Sequence, residues 1–306
     1  MADPQITLKV SYVSKRFGDF AAVDDLSFEV RSGRVFGFLG PNGAGKTTTI
    51  RMVVGITVPD SGSIELMGRR MSTDLQSRIG YLPEERGLYK KMKVSDQLRY
   101  FAALKGVGRA EADRRIDSWL ERMGLAEWKT KKTTDLSKGM QQKIQFISTV
   151  LHDPDLLILD EPFSGLDPVN VEFMIDVLSE FRTKEKTIIF STHLMETAER
   201  LCHDILLINR GRGVVSGSLR EIKSSYGEDL IAFRGTGADA ILADPAFIKK
   251  VVTHSDQQEL HLADGVTARE VLERLVASGA SVSKFEQVEP SLNDIFIEKV
   301  RGAAAA

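Results

Sequence analysis

Cysteine is almost missing from this 306-residue chain, where Cys202 stands alone. No internal disulfide is possible, which suits a reducing compartment. His203 sits beside Cys202, but adjacent residues chelate poorly and no second ligating cluster accompanies them, so no metal is expected there. No apolar run approaches the about 18 residues needed to cross a bilayer, and no signal-peptide pattern opens the chain. If the protein serves a membrane process, another subunit is expected to supply the membrane part. An excess of either charge is lacking too. The formal net charge of −2 gives no global pull toward nucleic acid or an anionic membrane. What is present is ordinary for a globular chain, with 42% hydrophobic and 27% charged residues. The length allows one large domain and a smaller one.

The most informative segment is Gly40-Pro41-Asn42-Gly43-Ala44-Gly45-Lys46-Thr47-Thr48. It fits the G-x-x-x-x-G-K-[ST] phosphate loop at every fixed position. An apolar run, Arg34 to Leu39, precedes it as a buried strand, and Thr47 to Val54 can begin a helix. Glycines let consecutive N–H groups turn inward on a polyphosphate, and the helix N-terminus adds partial positive charge. Lys46 reaches the β- and γ-phosphates, and the Thr47 hydroxyl can ligate Mg²⁺. The chain is therefore expected to bind a nucleoside triphosphate.

Periodicity divides the remainder. Ile6, Leu8 and Val10, then Leu26, Phe28 and Val30, alternate with polar residues as half-buried strands do, with Ser32-Gly33 and Asp60-Ser61-Gly62 as turns. From about 90 to 152 the period becomes helical. Val94, Leu98, Phe101 and Leu104 form one stripe; Ala112, Ile116, Trp119, Leu120 and Met123 form another, closed by Gly124. Leu156 to Leu159 and Thr187 to Phe190 are apolar without alternation, as central parallel strands are. Ligands bind at the carboxyl ends of such strands, so Lys46, Asp160-Glu161 and His193 should meet at one edge. The expected fold is α/β: a parallel-sheet core with an antiparallel β part and a helical insertion over residues 1–225, then a small α+β domain over 226–306. In the latter, Ser218-Leu219-Arg220-Glu221 begins a connecting helix that stops near Gly227. Strand Leu230 to Phe233 follows it, then a helix near Ala240 to Lys250 and strand Leu260 to Leu262. A capped helix begins at Thr267, with Val266 and Val271 as its hydrophobic staple, before strand Val282 to Phe285 and a helix over Leu292 to Val300. This split β-α-β order suggests a ferredoxin-like module.

Asp160 can hold Mg²⁺, directly or through water, and Glu161 can accept a proton from an attacking water. His193, at the end of a later strand, can bond the γ-phosphate and hold that water with Glu161. In Leu136-Ser137-Lys138-Gly139-Met140-Gln141-Gln142, Ser137 taken alone is an N-cap serine, yet it opens a helix N-terminus suited to a phosphate.

The order of phosphate loop, Leu136 to Met140, Leu159-Asp160-Glu161-Pro162, Ser164-Gly165-Leu166-Asp167 and His193 resembles an ATP-binding cassette (ABC) ATPase over roughly residues 6 to 225. The resemblance implies a P-loop NTPase fold that binds and hydrolyses ATP with Mg²⁺. It implies that Phe17 stacks on adenine, Glu161 is the general base and His193 the switch histidine. Two copies would pair head to tail, with Ser137 and Gly139 acting in trans on the partner's ATP, Gln141 counted with them among the nucleotide-binding residues, and Asp167 communicating between copies. Two positions depart from the family pattern. Lys138 and Met140 stand where the signature usually has Gly and Gln, and Glu84 in Gly80-Tyr81-Leu82-Pro83-Glu84-Glu85 replaces a glutamine that senses Mg²⁺. Glu84 is thus expected as a metal-side residue with Thr47 and Asp160.

These departures, with the tail Glu289 to Phe296, resemble bacterial drug and sodium exporters whose partner is an ABC-2 type transmembrane permease. That likeness implies a cytoplasmic face of the cell membrane, reached through the permease. A coupling helix would dock at Glu85-Arg86-Gly87-Leu88-Tyr89 and the helices after it. A soluble ABC ATPase acting on nucleic acid or the ribosome is the alternative, but such relatives usually carry paired cassettes, coiled coils or zinc inserts, and no basic stripe is present here. A P-loop kinase or GTPase gives no account of Ser137 or Glu161.

Overall fold

A computed structural model describes residues 5–70, 72–85, 87–183, 186–226, 230–253 and 257–305. The first strands are β1 (Ile6–Phe17) and β2 (Phe20–Arg31), a hairpin in which Leu8 faces Val30 and Val10 faces Phe28. Leu8, Val10, Leu26, Phe28 and Val30 are buried with exposed residues between them, as a period of two dictates, whereas Ile6 departs from its expected place and is exposed while Thr7 is buried. After β3 (Val35–Leu39) and α1 (Lys46–Val53) come β4 (Ser61–Leu66), β5 (Arg69–Arg70), the short α2 (Thr73–Gln76) and β6 (Ile79–Leu82). The expected turn at Asp60-Ser61-Gly62 is shorter than thought, because Ser61 is already paired with Ser14 across the β4–β1 ladder. An antiparallel sheet results, in the order β2-β1-β4-β5.

Three longer helices follow: α3 (Val94–Leu104), α4 (Arg109–Arg122) and α5 (Lys138–Val150). Val94, Leu98, Ile116, Leu120, Ile144 and Ile147 are buried on their facing sides. Leu104 departs from its expected stripe and is 64% exposed at the end of α3. Gly124 has φ of 68° just past the end of α4, as a helix stop requires.

The chain then returns to sheet and helix with β7 (Leu156–Asp160), α6 (Pro168–Thr183), β8 (Thr187–Thr192), α7 (Met195–Leu201), β9 (Asp204–Asn209) and β10 (Arg212–Ser218). The central sheet has six strands in the order β10-β9-β3-β8-β7-β6, parallel except at β10. Every residue of β3, β7 and β8 is buried, which is why these strands read as unbroken apolar runs. Parallel register sets Leu39 beside Thr192, Asp160 beside Ser191 and Leu82 beside Leu159. All four strands therefore deliver their following loops to one edge.

A second compact unit starts at Arg220, within α8 (Leu219–Ser225). The expected stop of this helix at Gly227 lies outside the described residues. The second unit is built from β11 (Leu230–Thr236), α9 (Asp239–Leu242), β12 (Ile248–Thr253), β13 (Gln258–Leu262), α10 (Ala268–Ala277), β14 (Ser281–Gln287) and α11 (Leu292–Ala305). Strand order β12-β13-β11-β14 with antiparallel pairs is the ferredoxin-like split β-α-β arrangement. One expected helix is corrected: α9 ends at Leu242, and the chain from Ile248 is a strand. Pro245 disfavours helical backbone at Asp244, and the β-branched Val251 and Val252 pair with β13. The capping box at α10 is present, with Thr267 accepting from Glu270 N–H at 3.3 Å and Glu270 Oε2 accepting from Thr267 N–H at 2.8 Å.

Candidate functional site

Between β3 and α1 the phosphate loop has no freedom to carry side chains at two of its glycines. Gly40 has φ of +155° and Gly45 of +107°; a Cβ on them would meet Ile208 O at 2.2 Å and Ala22 O at 2.4 Å. Only glycine tolerates both the angle and the approach. Ala44 is buried, its carbonyl accepting from Gly211 N–H at 2.8 Å. Lys46, 5% exposed, donates from Nζ to the carbonyls of Gly40 at 2.8 Å and Pro41 at 3.2 Å. Its ammonium is thus held at the centre of the loop. A cleft of about 410 Å³ opens over the loop, lined by Asn42, Gly43, Gly45, Lys46, Thr47 and Thr48 together with Phe20, Ala22, Glu84 and Glu161.

The acidic pair stands at the end of β7. Asp160 is fully buried and accepts a hydrogen bond from Ser191 Oγ; its Oδ2 has no hydrogen-bond partner among the described residues. Burial pushes its pKa up against the opposing hydroxyls of Ser191 and Thr47. A buried carboxylate oxygen without a donor, beside a threonine hydroxyl, is a donor set suited to a hard cation such as Mg²⁺. Glu161 turns into left-handed backbone at φ 49°, held there by its N–H donating to Ser191 O at 3.2 Å and Oγ at 3.1 Å. That turn aims Glu161 Oε1 to within 3.0 Å of His193 Nδ1 and 3.6 Å of Lys46 Nζ. The structure therefore brings Lys46, Thr47, Asp160, Glu161 and His193 together, and Glu84 reaches the same cleft.

Helix α5 ties the loops. Ser137 is its N-cap, accepting from Met140 N–H at 3.3 Å, and is exposed. Gln142 Nε2 donates to Pro162 O at 3.2 Å, beside Glu161, and Gln145 Nε2 to Pro83 O and Glu85 O at 3.0 and 3.1 Å. Ser137, Gly139 and Gln141 are not among the residues lining the phosphate-loop cleft. Gln141 Nε2 instead donates to Leu136 O at 3.0 Å and Thr133 O at 3.2 Å, beneath the signature. Asp167 accepts from Asn170 N–H at 3.0 Å and Nδ2 at 2.6 Å, which holds its carboxyl below the usual range.

Phe17 is exposed at the tip of the β1–β2 hairpin with Lys15 Nζ 5.7 Å from its ring centroid, and it does not line the cleft. Its cross-strand partner Phe20 does. Sequence reading missed Phe20, Ser191, Gln142 and Gln145. Ser191 alone carried a signal, as a hydroxyl one residue from the end of a buried strand. Arg86, part of the expected docking turn, lies outside the described residues. The rest of that turn adjoins a groove of about 280 Å³ lined by Tyr81, Leu88, Phe101, Gln145 and His152 among others. Cys202 and His203 carry structural duties: burial pushes the thiol up, and His203 Nδ1 accepts from Val35 N–H at 3.0 Å. No helix among the described residues is long and apolar enough to cross a membrane.

Comparison with known proteins agrees with this geometry. The ABC transporter family model matches residues 23–164, and the model for the ATP-binding protein DrrA1-3-like, C-terminal domain, matches residues 217–300. An uncharacterized ABC transporter ATP-binding protein of Bacillus subtilis is 46% identical over 293 residues, covering 96% of this chain and 98% of its own length. The Nod factor export ATP-binding protein I of Cupriavidus metallidurans is 37% identical over 241 residues, covering 75% of this chain and 80% of its own. A solved structure of the ATP binding subunit of an ABC transporter, 32% identical, superposes with a TM-score of 0.67 over 72% of this chain and 93% of that one. With a phosphate loop, signature helix and acidic strand end in this order, and relatives matching nearly end to end, the chain belongs to the ATP-binding proteins of ABC transporters and carries a DrrA-like C-terminal domain.

Proposed function

We propose that the chain hydrolyses ATP, and that two copies joined head to tail around two nucleotides drive the separate membrane subunit of an exporter. The observation that carries this reading is the grouping of Lys46 Nζ and His193 Nδ1 on one buried carboxylate, Glu161, at 3.6 and 3.0 Å. Lys46 and the loop N–H groups take the β- and γ-phosphates. Glu161 accepts the proton of the attacking water, and His193 holds that water against the γ-phosphate. Thr47, Asp160 and Glu84 would hold Mg²⁺, which when bound neutralises charge on the phosphates. Phe17 stacks on the adenine, beside Phe20 on the same hairpin.

Pairing in trans is supported by the signature: Ser137, exposed at a helix N-terminus, lies outside its own chain's cleft and is free to cap a phosphate held by a second copy. Gly139 has open space around it, its nearest neighbour to an added Cβ being Leu166 at 3.8 Å. Export is favoured by the relative named for Nod factor export and by the DrrA-like tail. The groove beside Leu88 and Phe101, with Tyr89 and Tyr100 packed against Phe101 at 48% and 43% exposure, is the docking place for an ABC-2 type membrane subunit at the cytoplasmic face. Glu161→Gln tests the chemistry. ATP turnover should fall by about 100-fold or more while ATP still binds, and an ATP-trapped dimer should elute early in size-exclusion chromatography. Turnover at the wild-type rate would remove Glu161 as the base; a strictly monomeric Glu161→Gln protein in saturating ATP would remove the head-to-tail dimer.

A further inference from the structure

Gln145 lies about two turns past Ser137 in α5. Its side chain is 3% exposed, and its Nε2 donates to Pro83 O at 3.0 Å and Glu85 O at 3.1 Å. Those two carbonyls flank Glu84, the loop carboxylate that lines the phosphate-loop cleft. Past Leu82 the described residues of the loop have no strand pairing, so these two bonds come to it from a helix and not from the sheet. The other atom of the amide, Oε1, is buried with no partner among the described residues. Turning the amide over would set Oε1 against two carbonyl oxygens, so the clamp works in one orientation only. An apolar side chain of the same size would avoid the cost of that unpaired acceptor. What the amide adds is therefore its grip on the loop.

We propose that Gln145 is a positioning residue for Glu84: it fixes the loop so that the Glu84 carboxylate stands at the metal side of the cleft. The inference rests on the reading of Thr47, Asp160 and Glu84 as the Mg²⁺ residues. It adds that Glu84 is placed by the signature helix, through one buried amide, and not by the sheet that carries Asp160. Neighbours that orient a ligand, without touching the metal, typically matter about tenfold or more for affinity.

The test uses the full chain carrying Glu161→Gln, loaded with ATP, with Mn²⁺ as the probe and its binding followed by electron paramagnetic resonance. Gln145→Met keeps the volume and removes both donors; Gln145→Asn keeps an amide one methylene short of the carbonyls. Each should weaken Mn²⁺ binding about tenfold. Affinity for a fluorescent ATP analogue without metal should stay within about twofold, and circular dichroism should show the wild-type fold. Glu84→Ala should weaken Mn²⁺ to a similar extent, and adding Gln145→Met to it should weaken binding no further. If Glu84→Ala weakens Mn²⁺ and both Gln145 variants bind it normally, the positioning role is overturned and the metal reading survives. If Glu84→Ala itself leaves Mn²⁺ binding unchanged, the metal reading falls and this inference falls with it. Full additivity of Gln145→Met and Glu84→Ala would also overturn it, since the two would then act on the metal separately.

Discussion

In the first unit Lys46, Asp160 and Glu161 are buried together at 5%, 0% and 7% exposure, whereas in the second unit every buried side chain among the described residues is apolar. The second unit's core is Ile231, Phe233, Ile248, Leu260, Val271 and Leu275, packed between sheet and helix as any small α+β domain requires. The first unit has such a core too, under its parallel strands, but adds charge at their carboxyl edge. Withdrawing an ion from water costs several kcal/mol unless partners repay it. The partners here are incomplete: Asp160 Oδ2 has no hydrogen-bond partner among the described residues, and Glu161 sits in strained backbone. Buried charged side chains are grouped at this edge, and the second unit has none among its described residues, which marks the edge as where a ligand completes the bonding.

The contrast can be broken from either side, and the larger effect on nucleotide binding lies in the first unit. Gly45→Ala forces a Cβ to 2.4 Å from Ala22 O at a φ of +107°. The loop must move, so affinity for an ATP analogue should drop by about 100-fold or more, measured by equilibrium fluorescence titration. Near-normal binding would mean the loop's backbone is not what grips the phosphates. In the second unit, Phe233→Ala empties a fully buried site and should cost about 3–5 kcal/mol of that unit's stability, read from urea unfolding. Nucleotide affinity should stay within about twofold of the intact chain, since a purely apolar core holds no ligand group. A collapse of ATP binding in Phe233→Ala would show the two units to be less separate in function than in composition.

Much of this contrast was legible in the sequence. The phosphate loop is local: its glycines, Lys46 and Thr47 are consecutive, so the spacing alone defines them. Convergence with Asp160, Glu161 and His193 also followed, because unbroken apolar runs mean parallel strands and parallel strands share an edge. What stayed hidden depends on register and on tertiary contact. Ser191 holds both acidic residues only because Asp160 is its cross-strand neighbour. Phe20 faces the cleft through its pairing with Phe17, and Gln145 sits in mid-helix with no local sign that it reaches a loop 60 residues away. Strand β12 was missed for a related reason. Lys249 and Lys250 interrupt its apolar pattern, and the pairing with β13 fixes its state.

The smallest expected effect is electrostatic and separates the units by pH. His152, in the first unit, places Nε2 3.1 Å from Ile79 O, while Nδ1 is buried with no partner among the described residues. Burial first, then the nearby Lys105 and Arg115 cations, push its pKa down to about 4 against the weaker opposing pull of Ile79 O and Asp153. The unfolded histidine titrates near about 6.5. Above that pH both states are neutral and stability is full. As pH falls toward about 4 the unfolded chain takes up the proton first, so stability declines through this window and no further below it. Allowing for partial solvent screening, the loss amounts to about 2 kcal/mol. Urea midpoints at neutral and mildly acidic pH should therefore converge less for the wild type than for His152→Gln, which keeps an amide donor for Ile79 O and cannot titrate. Parallel losses in the two proteins would move the acid lability elsewhere. The next candidate is His261 of the second unit, whose pKa is also lowered by burial and by Lys250. In that case the second unit, and not the first, would be the first to yield to acid.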